Sequence, residues 1–334
     1  MAGNQFMRKD RTIAAGFRQA LAFAVSIMSI AVAEEAPDAV GGGRPRMRVE
    51  RLQGNPIIAP DMDARMGDNI NGPSLIKVPA WVEKPLGKYY LYFAKHHGDY
   101  IRMAFADKLE GPWKMHEPGT LQLKHSYCAG HIASPDVHVD DARREILMYY
   151  HGGAVPPLKG QSSRLAISKD GLNFKAFPQD LGRAYFRVFR HGGYYYAITT
   201  GGLFLRSKDA EGPFEAGPTL FTVDLRHAAV KLDGGVLTVF FSNKRECPEH
   251  ILAARMLLTP DWTQWKAGEA VSLLKPETVY EGADCPLVPS VNGKILERVN
   301  QLRDPGIYRE GGDTHLLYSI AGEHGIAIGK LIEE

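Results

Sequence analysis

Short runs of apolar and aromatic residues alternate along the chain with polar breaks rich in glycine and aspartate. Runs such as "SLIKV", "YYLYFA", "EILMYYHG", "YYYAITT", "VLTVFFS" and "HLLYSI" are too short for helices and carry the β-branched and aromatic residues of strands. They fall into an imperfect repeat: a polar head, a short apolar strand, a Gly or Asp turn, an aromatic strand, a loop and a third strand. The first unit reads "NINGPSLIKV" and "GKYYLYFAKHHGDYIRMAFAD"; the second reads "HIASPDVHVD", "REILMYYHG" and "SSRLAISKDGLNF". "RAYFRVFRHGGYYYAITTGGLFLRSKD" is the third, and "LRHAAVKLDGGVLTVFFSNKRECPEHILAARM" the fourth. The fifth is "NQLRDPGIYREGG" continued by "THLLYSIAGEHGIAIGKL". "ADKLEGPWK", "SKDGLNFKAF" and "SKDAEGPFEAG" close the first three units as a polar turn and an outer strand.

Five such units predict an all-β chain, a five-bladed β-propeller with blades of about four antiparallel strands around an axial pocket. Irregular unit lengths disfavour a β-helix, and the shared plan disfavours a sandwich. In a propeller the innermost strand of each blade starts at the face that carries the loop between its second and third strands. Two sets of residues are therefore expected to meet at one mouth. The strand starts bring Asp68, Asn69 and Asn71, then His131, Ser134 and Asp136, then Arg183, Tyr185 and Arg187, then Arg226 and His227, and last Arg303 and Asp304. The loops bring His96, His97 and Asp99, then His151, Thr199 and Thr200, then Asn243, Arg245, Glu246 and Glu249, and last Glu323 and His324. Asp304, held before Pro305 at the head of an apolar run, is expected to be stiff and extended.

The N-terminus follows a different pattern. "MRKDR" supplies positive charge, "ALAFAVSIMSIAVA" is apolar, and Ala31-Val32-Ala33 is a small-x-small site before "EEAPDAV". This predicts a signal peptide over 1–33, a flexible leader over 34–50 and a single propeller domain over 51–334, acting in a secreted or periplasmic location with no membrane contact after cleavage. The alternative, an N-terminal anchor, needs a longer apolar core. A formal net charge of +2 over 334 residues argues against nucleic acid as a partner. The three cysteines, Cys128, Cys247 and Cys285, leave at least one unpaired and contain no Cys-x-x-Cys for structural zinc.

"SPDVHVD" (134–140) and "NGPSLI" (71–76) give the chain a resemblance to the five-bladed furanosidase-type glycoside hydrolases of families 43 and 32. The resemblance implies that Asp136 tunes the general acid, as the Asp of the second-blade motif does in family 43. In the first-blade motif an Asp before the proline carries the base, and here that residue is Gly72. "RDP" (303–305) resembles the Arg-Asp-Pro of family 32, whose Asp stabilises the transition state, but it falls in the last blade. "EC" (246–247) is similar to the acid motif of family 32 but precedes the Arg-Asp-Pro, in reversed order.

Hydrolysis of a glycoside needs two carboxyl groups across the scissile bond. The candidates are Asp304 as base or stabiliser, Asp136 as orienter, Glu323 or Glu249 as acid, and Asp68 as a substitute for the missing first-blade carboxylate. Asn71, His97, His131, His151, Tyr185 and His227 are candidates for sugar recognition. Arg183, Arg226, Arg245 and Arg303 suit a carboxylate or sulfate, so the expected substrate is a poly- or oligosaccharide, acidic or sulfated ones included. By the resemblance, the reaction inverts the anomeric centre. No cofactor or catalytic metal is required, and an ion on the axis is compatible with the fold. Two other functions fit the same residues: a polysaccharide lyase using His, Tyr and Arg, and a non-catalytic glycan-binding propeller.

Overall fold

The structure is a computed structural model that describes residues 45–333. The expected signal peptide and most of the expected leader lie outside the described residues. Among the described residues no helix is long and apolar enough to cross a membrane.

The described residues begin in the last sheet. Strand β1 (Met47–Arg51) is the outer strand of the fifth blade, so the last residues of the stretch read as leader are ordered sheet. The first blade holds β2 (Asn71–Lys77), β3 (Tyr89–Ala94), β4 (Tyr100–Ala106) and β5 (Lys114–Met115), with β6 (Leu121–Gln122) also paired to β4. The second holds β7 (Ala129–Asp140), β8 (Glu145–Gly153), β9 (Gln161–Ser168) and β10 (Lys175–Ala176). The third holds β11 (Arg187–His191), β12 (Tyr194–Ile198), β13 (Leu203–Ser207) and β14 (Glu215–Thr219). The fourth holds β15 (Leu225–Asp233), β16 (Val236–Asn243), β17 (Ile251–Leu257) and β18 (Val271–Leu274). In the fifth, β19 (Arg303–Glu310) lies innermost, followed by β20 (Asp313–Ser319), β21 (Ile326–Glu333) and β1. The five-bladed all-β propeller expected from the repeat is the fold.

The sequence pattern explains the blades. Strands buried on both faces read as continuous apolar runs, and successive side chains serve opposite sides. In β16, Val239 and Phe241 pack with Phe189 and Trp262 toward the third blade, while Phe240 packs with Leu316 and Tyr318 toward the fifth. In "YYLYF", Tyr90 and Tyr92 face the second blade and Tyr89, Leu91 and Phe93 face the fifth. Gly192-Gly193, Gly234-Gly235 and Gly311-Gly312 join the inner two strands of blades three to five as two-residue turns with both φ positive, a demand only glycine meets easily.

Closure depends on β1. Arg51 donates from Nε and Nη2 to Glu281 at 2.7 and 3.0 Å, and the Tyr318 hydroxyl donates to the same carboxylate at 2.8 Å. Val49 lies over Gly329, where a Cβ would meet its Cγ1 at 2.4 Å. The two ends of the described chain therefore share one sheet, and no blade edge is left open between first and last.

The inner strands are irregular at the mouth. Register slips between Asn71 and Ser74, Ala133 and Asp136, Leu225 and Ala228, and Arg303 and Gly306. In these bulges, and just before β11, Gly72, Ser134, Tyr185 and Asp304 adopt positive φ (64°, 52°, 62° and 50°). Asp304 is thus left-handed rather than extended. Pro305 has no N–H to give the ladder, so β19 can slip there, and the extra residue of the bulge takes the turn.

Candidate active site

The bulges build two layers around the axis, spaced two residues apart along each inner strand. The upper layer is Gly72, Ser134, Tyr185, His227 and Asp304. The lower layer is Ser74, Asp136, Arg187, Ala229 and Gly306, which line a small axial cavity of about 100 Å³. Asp304 and Asp136, both expected at the mouth, therefore belong to different depths.

Asp304 is the carboxylate of the upper layer and is 2 % exposed. His227 Nδ1 lies 3.0 Å from its Oδ1, a close contact that is not aligned as a hydrogen bond. Among the described residues its Oδ2 accepts only from Ser319 Oγ, at 3.4 Å. Burial pushes the Asp304 carboxyl up, but His227, Arg226 and Arg303 outweigh it and hold the group well below the ordinary aspartate range. Burial also pushes His227 down, against the pull of Asp304.

A row of rings runs around the mouth from Asp304. Tyr185 lies 3.8 Å from His227 between ring centroids, His151 4.6 Å from Tyr185, His131 6.1 Å from His151, and His97 5.4 Å from His131. His96 follows at 6.4 Å from His97 and bonds through Nδ1 to Glu323 Oε2 at 2.7 Å. The row runs from exposed His97 through half-buried His131 to buried His151. His151 is held well below the usual histidine value, first by burial and then by His227 and His131, and its Nδ1 has no partner. Burial pushes the Tyr185 hydroxyl up. Among the described residues no group of three or more His, Cys, Asp or Glu is arranged to hold a metal ion.

The two glutamates expected to act as acid hold the scaffold together instead. The sequence places Glu323 on an exposed loop; the structure buries it completely. It accepts from Asn69 at 2.5 Å, Asn71 at 3.3 Å and Arg303 at 3.0 Å, besides His96. Burial would push its carboxyl up, yet His96 and Arg303 hold it below the ordinary range, the wrong direction for a proton donor at neutral pH. Glu249, equally buried, is clamped between Arg226 Nε at 2.9 Å and Arg303 Nε at 3.0 Å, and accepts from Ser242 at 2.7 Å. Arg226 and Arg303 are thereby consumed by internal pairing, as buried charges require.

The remaining candidates spread out. Asp136 accepts from His138 and from the Val188 amide, each at 2.8 Å; burial raises its carboxyl, but His138, Arg187 and that amide bring it below the ordinary value. Asp68 is exposed on a turn, with no hydrogen bond or ion pair among the described residues. Arg245 is exposed and paired with Asp224, while the exposed Arg183 side chain has no partner among the described residues. Asn71 joins Asn69 and Glu323 rather than the open mouth. All three cysteines are free.

Two contributors were not singled out from the sequence. Gln301 accepts from Arg303 Nε and Nη2 at 3.1 and 2.5 Å. The segment between β18 and β19 lends the carbonyls of Val291, Gly293 and Ile295 to Arg226, Arg303 and Asn69. Glu246, expected from the sequence on a mouth loop, is partly exposed, accepts from Asn243 at 3.0 Å, and has its Oε2 3.2 Å from His250 Nδ1. Only the position of Gln301, two residues before Arg303 in an inner strand head, offered a signal.

No family model matches the chain. An uncharacterised protein of Acanthamoeba polyphaga mimivirus is 37% identical over 297 residues, covering 79% of this chain and 83% of that protein. The chain belongs to that protein's family. Among solved structures, the fold is that of five-bladed glycosidase propellers. A putative glycosidase from Bacteroides thetaiotaomicron superposes with a TM-score of 0.61 at 12% identity, covering 84% of this chain and 96% of that one. A family 43 β-xylosidase/α-arabinofuranosidase from a compost metagenome, solved with xylotriose, gives 0.54 at 13% identity over 85% and 94%. A member of the family 130 mannoside phosphorylases and hydrolases gives 0.56 at 13% identity over 88% and 95%.

Proposed function

We propose that the protein is an exported glycoside hydrolase that binds a carbohydrate at the mouth and uses Asp304 in the chemistry. The observation that carries this is Asp304 itself: a buried, ionised carboxylate in the upper axial layer, before a proline, at the end of a row of hydrogen-bonding rings. Its Oδ2, weakly held by Ser319, is the oxygen free to meet an attacking water or a developing positive charge. Glu246 is the proposed proton donor, because it is neither locked in the buried ion network nor fully exposed. The proposed outcome is inversion, with Asp304 as base. The anionic-substrate proposal narrows to Arg183, whose exposed guanidinium has no partner among the described residues. No cofactor is needed; an axial ion would meet Arg187, whose Nη2 has no partner, beside Asp136. Export is supported by the N-terminal charge, apolar core and Ala31-Val32-Ala33.

One observation favours a lyase as the second reading: His151, neutral and with Nδ1 unpartnered, faces Tyr185, a pair suited to removing a proton beside a uronate. The test is reducing-end release from xylo-oligosaccharides, β-1,2-mannosides, uronic and sulfated glycans, with ultraviolet absorbance of an unsaturated product read in parallel. Hydrolysis predicts release without absorbance, lost by at least about a thousandfold in Asp304→Asn. Absorbance with release selects the lyase. Glycan binding without bond cleavage by the folded protein leaves a binding propeller.

A further inference from the structure

Ser134, His227 and Asp304 come from three different blades and meet at the axis. Ser134 Oγ is 3.2 Å from His227 Nε2, and His227 Nδ1 is 3.0 Å from Asp304 Oδ1. The serine is thus within hydrogen-bond reach of one imidazole nitrogen, and a buried carboxylate faces the other. We infer that this is a Ser-His-Asp hydrolytic triad, and that the protein cleaves a small carboxylic ester, an O-acetylated sugar being the class that fits the mouth. The choice of a sugar ester rests on the glycosidase reading; the triad does not.

The roles follow from geometry rather than chain order. Neutral imidazole is what a general base requires, and burial keeps His227 on that side. Asp304 holds the ring and stabilises the imidazolium. The oblique Nδ1 contact is of the kind that tightens when substrate binds. Gly72 sets the space around the nucleophile: a Cβ there would stand 3.2 Å from Ser134 Cα and 3.5 Å from Oγ. Gly72 also falls in the bulge of β2, between the Asn71 and Ser74 pairs. The hydroxyl is enclosed, Ser134 being 3% exposed, and Tyr185 covers His227. That favours acetyl over longer acyl groups and requires Tyr185 to turn aside.

In the reaction Ser134 Oγ bonds to the acyl carbon while its proton passes to His227 Nε2. The C–O bond to the alcohol breaks, and the leaving oxygen takes that proton. Water then attacks the acyl-serine, gives a proton to His227, and the proton returns to Ser134 as the carboxylic acid leaves. Ester and water give acid and alcohol, with no other reactant.

The test treats the full chain with a fluorophosphonate and with 4-nitrophenyl acetate, and locates any adduct by peptide mass spectrometry. The expected result is an adduct on Ser134, ester turnover, and loss of both in Ser134→Ala, turnover falling by at least about a thousandfold. A folded wild type that takes no adduct at Ser134 and turns over no ester overturns the triad, and needs no variant to interpret. Acetate release from acetylated xylo-oligosaccharides supports the sugar-ester assignment. Aryl ester turnover without acetate or sugar release overturns the carbohydrate half and keeps the triad. Sugar release without ester turnover keeps the glycosidase and overturns the inference.

Discussion

Gly72 and Asp304 occupy the same bulge position on neighbouring inner strands, each left-handed and each followed by proline, yet only Asp304 carries a carboxylate. The strands touch: a Cβ on Gly306 would meet the Pro73 carbonyl at 2.5 Å. The acidic group that a family 43 resemblance leads one to seek in the first blade thus stands one blade away in the same layer. Gly72→Asp is expected not to add a second functional carboxylate. It imposes a side chain at φ 64° and a 3.2 Å contact on Ser134, so it should destabilise by about 1–3 kcal/mol. Denaturant melts of wild type and variant measure this; an equally stable variant would show that the bulge relaxes freely.

Glu249 neutralises Arg226 and Arg303 at once, with all three side chains buried. Glu249→Gln leaves two guanidiniums short of charge in a site closed to water. We expect a loss of about 3–5 kcal/mol in urea unfolding. Were Glu249 instead the catalytic acid, the variant would keep its stability and lose turnover alone. Glu246→Gln should show that second pattern, with its defect smallest on aryl glycosides, whose leaving group needs no proton.

Acid should weaken the fold in two stages of the same sign. His131, His151 and His227 are all held below the ordinary histidine value, burial being the largest cause for each. Below about pH 6.5 the unfolded chain takes up protons that the folded chain refuses, so stability falls as pH drops. Asp136, Asp304 and Glu323 are also depressed, so their contribution is present above about pH 4 and is lost below it. Calorimetric Tm should be flat near neutrality, decline from about pH 6.5 and fall further near pH 4. His151→Gln should flatten the first stage. A Tm unchanged between pH 7 and 5 in the wild type would contradict the buried neutral imidazoles.

The blades were legible because their determinants are local. Alternation in "YYLYF" and "VLTVFF" assigns side chains to opposite blade faces, and the Gly-Gly turns set hairpin register, without reference to the rest of the chain. Strand direction then placed His96, His131, His151, Tyr185, His227 and Asp304 at one mouth. What the tertiary structure decided was charge and depth. Glu249 and Glu323 looked like loop acids, and only the meeting of three blades shows them clamped by Arg226, Arg303 and His96. Asp136 and Asp304 share a sequence context, yet a two-residue offset in register puts them in different layers. Ser134 drew no attention as a nucleophile because its partners lie 93 and 170 residues along the chain, His227 and Asp304 by number. The side-chain pattern of a strand is written in its neighbours along the chain, whereas the protonation and reach of a buried group depend on what the other blades bring to it.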